Sequence, residues 1–124
     1  MSGPYLADTH VVLWSWHDDD RLRTGHKVVL LSGAQVFVSM ASVWEMTIKA
    51  SQGKLRTVED IGGSLKRSGF ELLPIELRHM EALRHLPRHH GDPFDRLLIA
   101  QAQLEKLTIL TADRHFRPYH VALA

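Results

Sequence analysis

The sequence contains no cysteine, which excludes disulfide bonds and thiolate metal sites. It also lacks a long hydrophobic run, because no segment approaches the ~20 apolar residues that a transmembrane helix needs. The segment YLADTHVVLWSW is interrupted by Asp8 and His10 and has no basic leader, which argues against a signal peptide. These absences predict a soluble protein of the cytoplasm.

An excess of charge of one sign is missing as well. The formal net charge is +1, which by itself indicates no class of partner. The chain has 124 residues, of which 44% are hydrophobic, and this predicts one compact domain over residues 1–124. If several acids gather in one pocket, the remaining surface is weakly basic, and such a surface suits a polyanion that meets a bound metal.

Segments with strand character alternate with segments of helical character along most of the chain. The five predicted strands lie in PYLAD, AQVFVS, FELLPI, LTILTAD and YHVALA. Helices are predicted between them, as in THVVLWSW and in the run that begins at Asp92 and Pro93. This alternation predicts right-handed βαβ crossovers and a mainly parallel sheet with helices on both faces, a three-layer α/β/α sandwich.

Four acidic residues, far apart in sequence, fall near the ends of predicted strands. Asp8 ends the first strand, and Asp113 follows LTILT. Asp95 lies in the first turn of the helix before that strand, and Glu45 lies about two turns into the helix after VFVS. Ligands of open parallel sheets bind outside the carboxyl ends of the strands. We therefore expect the four side chains to converge there.

Each of these acids also has a purely structural explanation. Asp8 and Asp95 suit the start of a helix, where free amide groups and the helix dipole favour an acid. Glu45 suits an i,i+4 pair with Lys49, and Asp113 suits a turn. These explanations are weaker when the four are taken together, because burying several unpaired carboxylates is costly. A divalent cation offsets that cost, and an all-oxygen ligand set suits Mg²⁺ or Mn²⁺.

Four segments of the chain, in order, resemble the PIN-domain ribonucleases, in particular the VapC-type toxins of type II toxin–antitoxin systems. LADTHVVLW is similar to the family's opening strand and first acid, and VSMASVWEMTIKASQGKL to its second acidic segment. DPFDRLLIAQA is similar to the third segment, and LTILTADRHF to the fourth. The resemblance runs from about Tyr5 to Val121 and implies a five-stranded parallel sheet in the order 3-2-1-4-5.

The resemblance also implies roles for individual residues. The family's acidic quartet falls on Asp8, Glu45, Asp95 and Asp113. Thr111 matches the hydroxyl residue that accompanies the last acid, and Thr9 matches the position after the first. Asp92 belongs to the DPFD form of one branch of the family, so a contact with metal and a helix cap both remain open for it.

The function implied by the resemblance is that of a metal-dependent endoribonuclease acting as the toxin of a toxin–antitoxin pair. One or two Mg²⁺ or Mn²⁺ ions would activate water for attack on an RNA phosphodiester. The resemblance further implies a homodimer and a cognate VapB-type antitoxin whose C-terminal segment lies in a groove and blocks the site. The apolar residues expected in this groove are Val12, Trp16, Val43 and Met46.

Two other classes of protein share some of these features. A phospho-receiver domain needs an aspartate at the end of its middle strand and a lysine at the end of its last. Here FELLPI ends without an aspartate, and no lysine follows LTILTAD. A non-catalytic RNA-binding or interaction module of the same fold is the stronger alternative, and the intact quartet argues against it.

Basic residues and histidines near the acids have less specific interpretations. For Arg96, a phosphate contact and a pair with a neighbouring acid are equally favoured, whereas Lys49 is expected to be solvated. The nine histidines suggest a zinc site. Because Pro87 interrupts the helix that would align two of them, His89 and His90 are instead predicted to be surface loop residues.

Overall fold

The structure is a computed structural model that describes residues 3–124, and its centre is a parallel β-sheet. The strands are β1 (Tyr5–Ala7), β2 (Val36–Ser39), β3 (Glu71–Leu73) and β4 (Thr108–Leu110). They lie in the order β3-β2-β1-β4, and every neighbouring pair is parallel. The predicted parallel α/β sheet is therefore confirmed. Residues 1 and 2, which the expected domain includes, lie outside the described residues.

The predicted fifth strand, YHVALA, is reduced to one bridge beside β4. The Ile109 amide donates to the Ala122 carbonyl at 2.9 Å, and the Ala124 amide donates to the Ile109 carbonyl at 2.8 Å. The sheet thus has four strands rather than five, although the last segment lies at the expected edge. A tight turn, in which Val121 donates to the Tyr119 carbonyl at 3.0 Å, leaves only the last few residues extended beside β4.

The described residues 3–124 form six α-helices and one short 3₁₀ helix. They are α1 (Thr9–Trp16), α2 (Thr24–Leu31), α3 (Met40–Ser51), α4 (Ile61–Arg67), α5 (Leu77–Arg84), α6 (Pro93–Glu105) and the 3₁₀ helix Arg114–Phe116. Side-chain caps explain several helix starts, since Asp8, Ser39 and Asp92 accept hydrogen bonds from the first turns of α1, α3 and α6. None of the helices within residues 3–124 has the length and apolar character that a bilayer-spanning segment requires.

The two faces of the sheet pack against separate hydrophobic cores. Tyr5 and Ala7 belong to the core that contains residues of α1, α2 and α4, whereas Leu6 belongs to the core that contains residues of α5 and α6. Alternate strand residues thus face opposite helix layers, and the three-layer arrangement is confirmed. Val12 and Met46 are fully buried in the first core. Their predicted place in an exposed groove is therefore wrong.

The pairing of β1 with β4 positions the residues that follow the two strands. Ala7 pairs with Leu110, and the Asp8 amide donates to the Leu110 carbonyl at 3.0 Å. Asp8 and Thr111 each come directly after their strand. Because parallel strands end at the same edge of a sheet, these two side chains lie next to each other.

We expect the replacement Leu98→Ala to lower the free energy of unfolding by about 2–5 kcal/mol. Leu98 is fully buried in α6, so its truncation leaves a cavity in the second core. Denaturant unfolding followed by tryptophan fluorescence measures the loss. Leu104→Ala on the same helix is the matched control, because the Leu104 side chain is 41% exposed and its loss is expected to cost less than about 1 kcal/mol. Equal losses in the two variants would contradict this packing.

Candidate functional site

Asp8 is buried at the N-terminus of α1, and each of its carboxylate oxygens has a donor. Oδ1 accepts a hydrogen bond from the Val11 amide at 2.8 Å, and Oδ2 accepts one from the Thr111 hydroxyl at 2.5 Å. Burial raises the pKa of Asp8, although the hydrogen bonds from Thr111 and Val11 act in the opposite direction. The helix cap uses only one oxygen, so capping does not exclude a second role for Asp8.

Thr111 also connects Asp8 to Asp113. Its hydroxyl oxygen accepts a hydrogen bond from the Asp113 amide at 3.0 Å. Oδ1 of Asp113 accepts hydrogen bonds from both the amide and the ring Nδ1 of His115, at 2.9 and 2.8 Å. Burial alone would raise the pKa of Asp113, but these two hydrogen bonds outweigh it and lower the pKa. Asp113 is therefore an ionised carboxylate at neutral pH.

Glu45 is buried on α3 and faces α1. Its Oε1 lies 2.7 Å from the Thr9 hydroxyl, which is also 3.0 Å from the Ser42 hydroxyl. Its Oε2 accepts a hydrogen bond from the Lys49 ammonium at 2.8 Å. Lys49 was expected to be solvated, but this hydrogen bond raises its pKa, and the charges of Glu45, Asp92 and Asp95 act in the same direction. Lys49 is thus turned toward the acids.

Asp95 has a strongly raised pKa. Its side chain is 18% exposed, and burial raises its pKa to about 8. Neighbouring negative charges act in the same direction, in decreasing order those of Asp92, Glu45, Asp8 and Asp113. All four predicted acids therefore share one electrostatic environment. At neutral pH the Asp95 carboxyl is mostly protonated.

Asp92 caps α6. One of its carboxylate oxygens accepts hydrogen bonds from the amides of Phe94 and Asp95, at 2.9 and 3.0 Å. The capping interpretation is confirmed. The same carboxylate is the neighbour whose charge acts most strongly on Asp95, so the helix cap also contributes to the negative potential of the site.

The four acids meet at one end of the sheet but are not closed into a coordination sphere. Within residues 3–124, the only three candidate metal ligands with donor atoms all within 4.8 Å of one another are Glu76, His79 and Glu105. No three of the predicted acids bring their oxygens this close together, and Asp8, Glu45 and Asp113 are each held by their own donors. A cation that binds among them has to share or replace some of these hydrogen bonds.

The second cluster, Glu76, His79 and Glu105, was not anticipated from the sequence, and it is an ion-pair network. Arg78 contacts both glutamates. Nδ1 of His79 accepts a hydrogen bond from the Glu76 amide at 3.0 Å, so Nε2 carries the proton and donates it to Glu105 at 3.0 Å. This hydrogen bond lowers the pKa of Glu105, and Arg78 contributes to the shift. A nitrogen that already carries a proton is not available to a metal.

Arg96 has a structural role that differs from both predicted alternatives. It is only 7% exposed, and its guanidinium donates to the carbonyls of Leu86 and Pro87 at 3.3 and 2.9 Å. It also lies 3.4 Å from the Tyr119 hydroxyl. Because these acceptors belong to the loop before α6 and to the C-terminal segment, Arg96 joins these two parts and contacts no acid in the site.

His90 lies much closer to the acids than its prediction as a surface loop residue implied. Its side chain is only 13% exposed, and Nε2 is 3.6 Å from Oδ2 of Asp95. The ring stacks on His115 with 5.7 Å between the centroids. Burial lowers the pKa of His90. The prediction for His90 is wrong, whereas His89 is exposed as predicted. The position of His90, two residues before the cap of α6, was the sequence feature that could have revealed its place near the acids.

A cavity of about 240 Å³ opens beside Asp8 and Asp113. The residues that complete its lining are His10, Trp14, Arg21 and Ala112. The Arg21 guanidinium carbon lies 5.2 Å from the centroid of the Trp14 ring, which is a cation–π distance. An aromatic side chain and a guanidinium therefore lie directly next to two of the acids.

The family model for the PIN domain matches residues 5–120. This chain belongs to the PIN-domain family. No curated protein sequence matches it. The acids that follow β1 and β4 of this PIN domain lie at the switch point of the sheet, where its strand order reverses.

Several solved structures share the PIN fold with this chain. It is similar to VapBC2 from Rickettsia felis bound to a DNA fragment from its promoter, with a TM-score of 0.73, 14% identity and coverage of 97% of this chain and 96% of that chain. It is similar to FitAcB from Neisseria gonorrhoeae, with a TM-score of 0.67, 20% identity and coverage of 97% and 96%. It is also similar to a toxin–antitoxin complex from Klebsiella pneumoniae, with a TM-score of 0.63, 19% identity and coverage of 91% of this chain and 90% of that chain. At these identities the likeness shows a common fold.

The raised pKa of Asp95 predicts how the stability of the metal-free PIN domain depends on pH. An unfolded aspartate ionises near about pH 3.9, whereas folded Asp95 ionises near pH 8. Between these values the folded state binds the extra proton, so the free energy of unfolding falls as pH rises, by at most about 1.4 kcal/mol per pH unit for this group. Thermal unfolding in EDTA across this interval is the measurement.

Asp95→Asn removes the titrating group and is expected to lose less stability than the wild type over the same interval. The exposed Asp20→Asn is the matched control and is expected to follow the wild type. Parallel pH profiles for the wild type and Asp95→Asn would contradict the raised pKa.

Proposed function

We propose that this PIN domain is a metal-dependent endoribonuclease that acts as the toxin of a toxin–antitoxin pair. The observation that carries the proposal is the neutral, largely buried Asp95 among three other acids at the carboxyl ends of parallel strands. A protein without a use for a buried acid would place apolar or paired side chains here, because burying several unpaired carboxyl groups lowers its stability. Strongly shifted acids in a cleft are typical of functional sites.

The donor set suits a hard divalent cation. Carboxylates and hydroxyls are the available groups, and the chain has no thiolate that would favour a softer metal. Asp8, Asp95 and Asp113 would hold Mg²⁺ or Mn²⁺, with Glu45 as a direct ligand or acting through water. Only one cationic side chain, Lys49, forms an ion pair with any of these four acids in the described part of the chain, apart from the histidine contacts. The excess of negative charge is what a divalent ion would compensate.

When bound, the cation supplies Lewis acidity, which activates water and offsets negative charge on the phosphate during hydrolysis. The protein's own residues hold the ligands in place. Thr111 orients Oδ2 of Asp8 through its hydroxyl and keeps Asp113 near by through the Asp113 amide. Thr9 and Lys49 orient the two oxygens of Glu45. Asp95 would hold the cation in its deprotonated form.

RNA fits the surroundings of the acids. The cavity beside Asp8 and Asp113 offers the Trp14 ring for stacking of a base. The Arg21 guanidinium, which forms an ion pair with Asp19 at 2.7 Å, lies over this ring and adds positive charge near a bound phosphate. Such a subsite would place the nucleic-acid backbone next to the carboxylates. The choice of RNA over DNA follows the resemblance of the four acidic segments to the VapC-type toxins.

The proposed partners are a VapB-type antitoxin and a second copy of this chain. The similar structure from Rickettsia felis is of VapBC2, and the one from Klebsiella pneumoniae is of a toxin–antitoxin complex. On this chain α3 exposes two large apolar side chains, Met40 at 42% and Trp44 at 55%. They lie on the helix that carries Glu45, so a segment bound over them would pass close to the acids.

The replacements Asp8→Asn and Asp95→Asn are each expected to lower metal-dependent RNA cleavage by more than the ~100-fold that loss of an outer-shell partner costs. Asparagine keeps the shape of the side chain but removes its charge as a ligand. Cleavage of a defined RNA by purified protein with Mg²⁺ or Mn²⁺ measures the effect, and circular dichroism verifies the fold. Asp20→Asn is the control. Full activity in either site variant, or in excess EDTA, would rule out the mechanism.

Mapping of RNA 5′ ends in cells after brief induction tests the substrate and the toxin role together. The wild type is expected to create new 5′ ends at defined sites and to stop growth, whereas Asp8→Asn does neither because its metal centre is incomplete. New ends are counted against the uninduced culture. Growth arrest by both proteins without new ends would favour the non-catalytic RNA-binding module.

A further inference from the structure

The ring of His90 contains a polar atom that is buried without a partner. Nε2 is inaccessible to solvent and has no hydrogen-bond partner within residues 3–124. Its nearest acidic atom is Oδ2 of Asp95 at 3.6 Å, which is too long for a hydrogen bond. Buried polar atoms are nearly always satisfied, so an exception beside a candidate metal centre requires an explanation.

The hydrogen bonds of Tyr119 determine which ring nitrogen of His90 carries the proton. The Tyr119 oxygen accepts from the amides of His89 and His90, both at 3.2 Å, and lies 3.4 Å from the Arg96 guanidinium. Its own proton is left for Nδ1 of His90 at 2.8 Å. Because Nδ1 accepts this hydrogen bond, the proton of the ring is on Nε2. The unpartnered atom is therefore a donor.

The orientation of the His90 ring is restricted from two sides. One face stacks on His115, with 5.7 Å between centroids and 15° between planes. The ring also makes an edge contact with Tyr119, at 5.5 Å and 68°. Tyr119 is itself 5% exposed. These contacts hold Nε2 toward Asp95, and a histidine with no role beyond the loop would not need them.

We propose that His90 is a positioning residue of the metal centre, whose Nε2–H donates to Oδ2 of the cation-bound Asp95 carboxylate and leaves Oδ1 free as the metal ligand. A closure of roughly 0.6 Å brings the two atoms to ordinary hydrogen-bond distance. Ligating carboxylates are commonly held by such outer hydrogen bonds, which orient them and tune the affinity for metal. The inference deepens the proposed function and rests on it.

Two replacements of His90 separate the donor from the rest of the ring. In His90→Asn the short amide reaches the position of Nδ1 and keeps an acceptor for Tyr119, but it has no donor at the position of Nε2. In His90→Gln the longer amide places an N–H group near the position of Nε2. We expect Asn to weaken the affinity of the full chain for Mn²⁺ by about 10- to 100-fold and Gln to stay close to the wild type. Isothermal titration calorimetry measures both affinities without RNA.

The outcomes of the titration distinguish this inference from the proposed function. If the wild type binds Mn²⁺ and Asp95→Asn does not, equal affinities for the wild type and His90→Asn overturn the role of His90 alone. A Gln variant as weak as the Asn variant also overturns it. No Mn²⁺ binding by the wild type overturns the metal centre and the inference together. Mn²⁺ binding with the expected His90 dependence but without RNA cleavage overturns only the proposed function.

A measurement on the wild-type protein does not depend on how the variants fold. In ¹⁵N-labelled protein, the nitrogen shifts and two-bond couplings of the His90 ring report which nitrogen carries the proton. We expect the Nε2–H form in the metal-free protein and a downfield shift of this proton when Mg²⁺ is added, because the hydrogen bond to Asp95 then forms. An Nδ1–H ring, or an Nε2 proton that Mg²⁺ leaves unchanged, overturns the proposal.

Discussion

Mutual repulsion among acids at the end of the sheet is the constraint around which this region of the PIN domain is arranged. Asp8 is anchored by the backbone of β1 and by the start of α1, and it cannot move away from the charges that surround it. The raised pKa of Asp95 is the direct result, since burial and four nearby carboxylates all disfavour its ionised form. Asp113 keeps its charge, whereas Asp95 keeps its proton.

Hydroxyl and nitrogen donors, rather than salt bridges alone, keep the acids in place. Thr111 donates to Asp8, Thr9 lies against Glu45, and His115 donates to Asp113. Hydroxyl donors such as Thr111 orient a carboxylate without cancelling its charge. Lys49 is the exception, because it compensates part of the charge of Glu45. A cation bound as proposed would compete with this lysine for Glu45.

The sequence contained enough information to predict which residues reach the site from the strands. Asp8 and Thr111 directly follow parallel strands, and this position brings together two residues that are 103 apart in the sequence. Side-chain contacts between loops and helices were not predictable in the same way. The burial of His90 depends on Tyr119 and His115, whose positions are set by the turn after β4. The hydrophobic periodicity of the sequence does not indicate that turn. The helical spacing of the apolar residues in THVVLWSW likewise did not indicate that Val12 faces the core.

Asp95 lies in the first turn of a helix with a long buried segment, and this explains how the repulsion is tolerated. The residues of α6 that follow Asp95 pack into the core between the sheet and α5, with Leu98 and Ile99 fully buried. This packing, together with the Asp92 cap and the loop that Arg96 binds, holds the first turn of α6 in position. It does so although the surroundings of Asp95 disfavour its ionised form. Preorganised sites are commonly built at such a cost in stability. Hence the apolar packing of α6 stabilises a helix start at which burial and neighbouring charges disfavour an ionised Asp95.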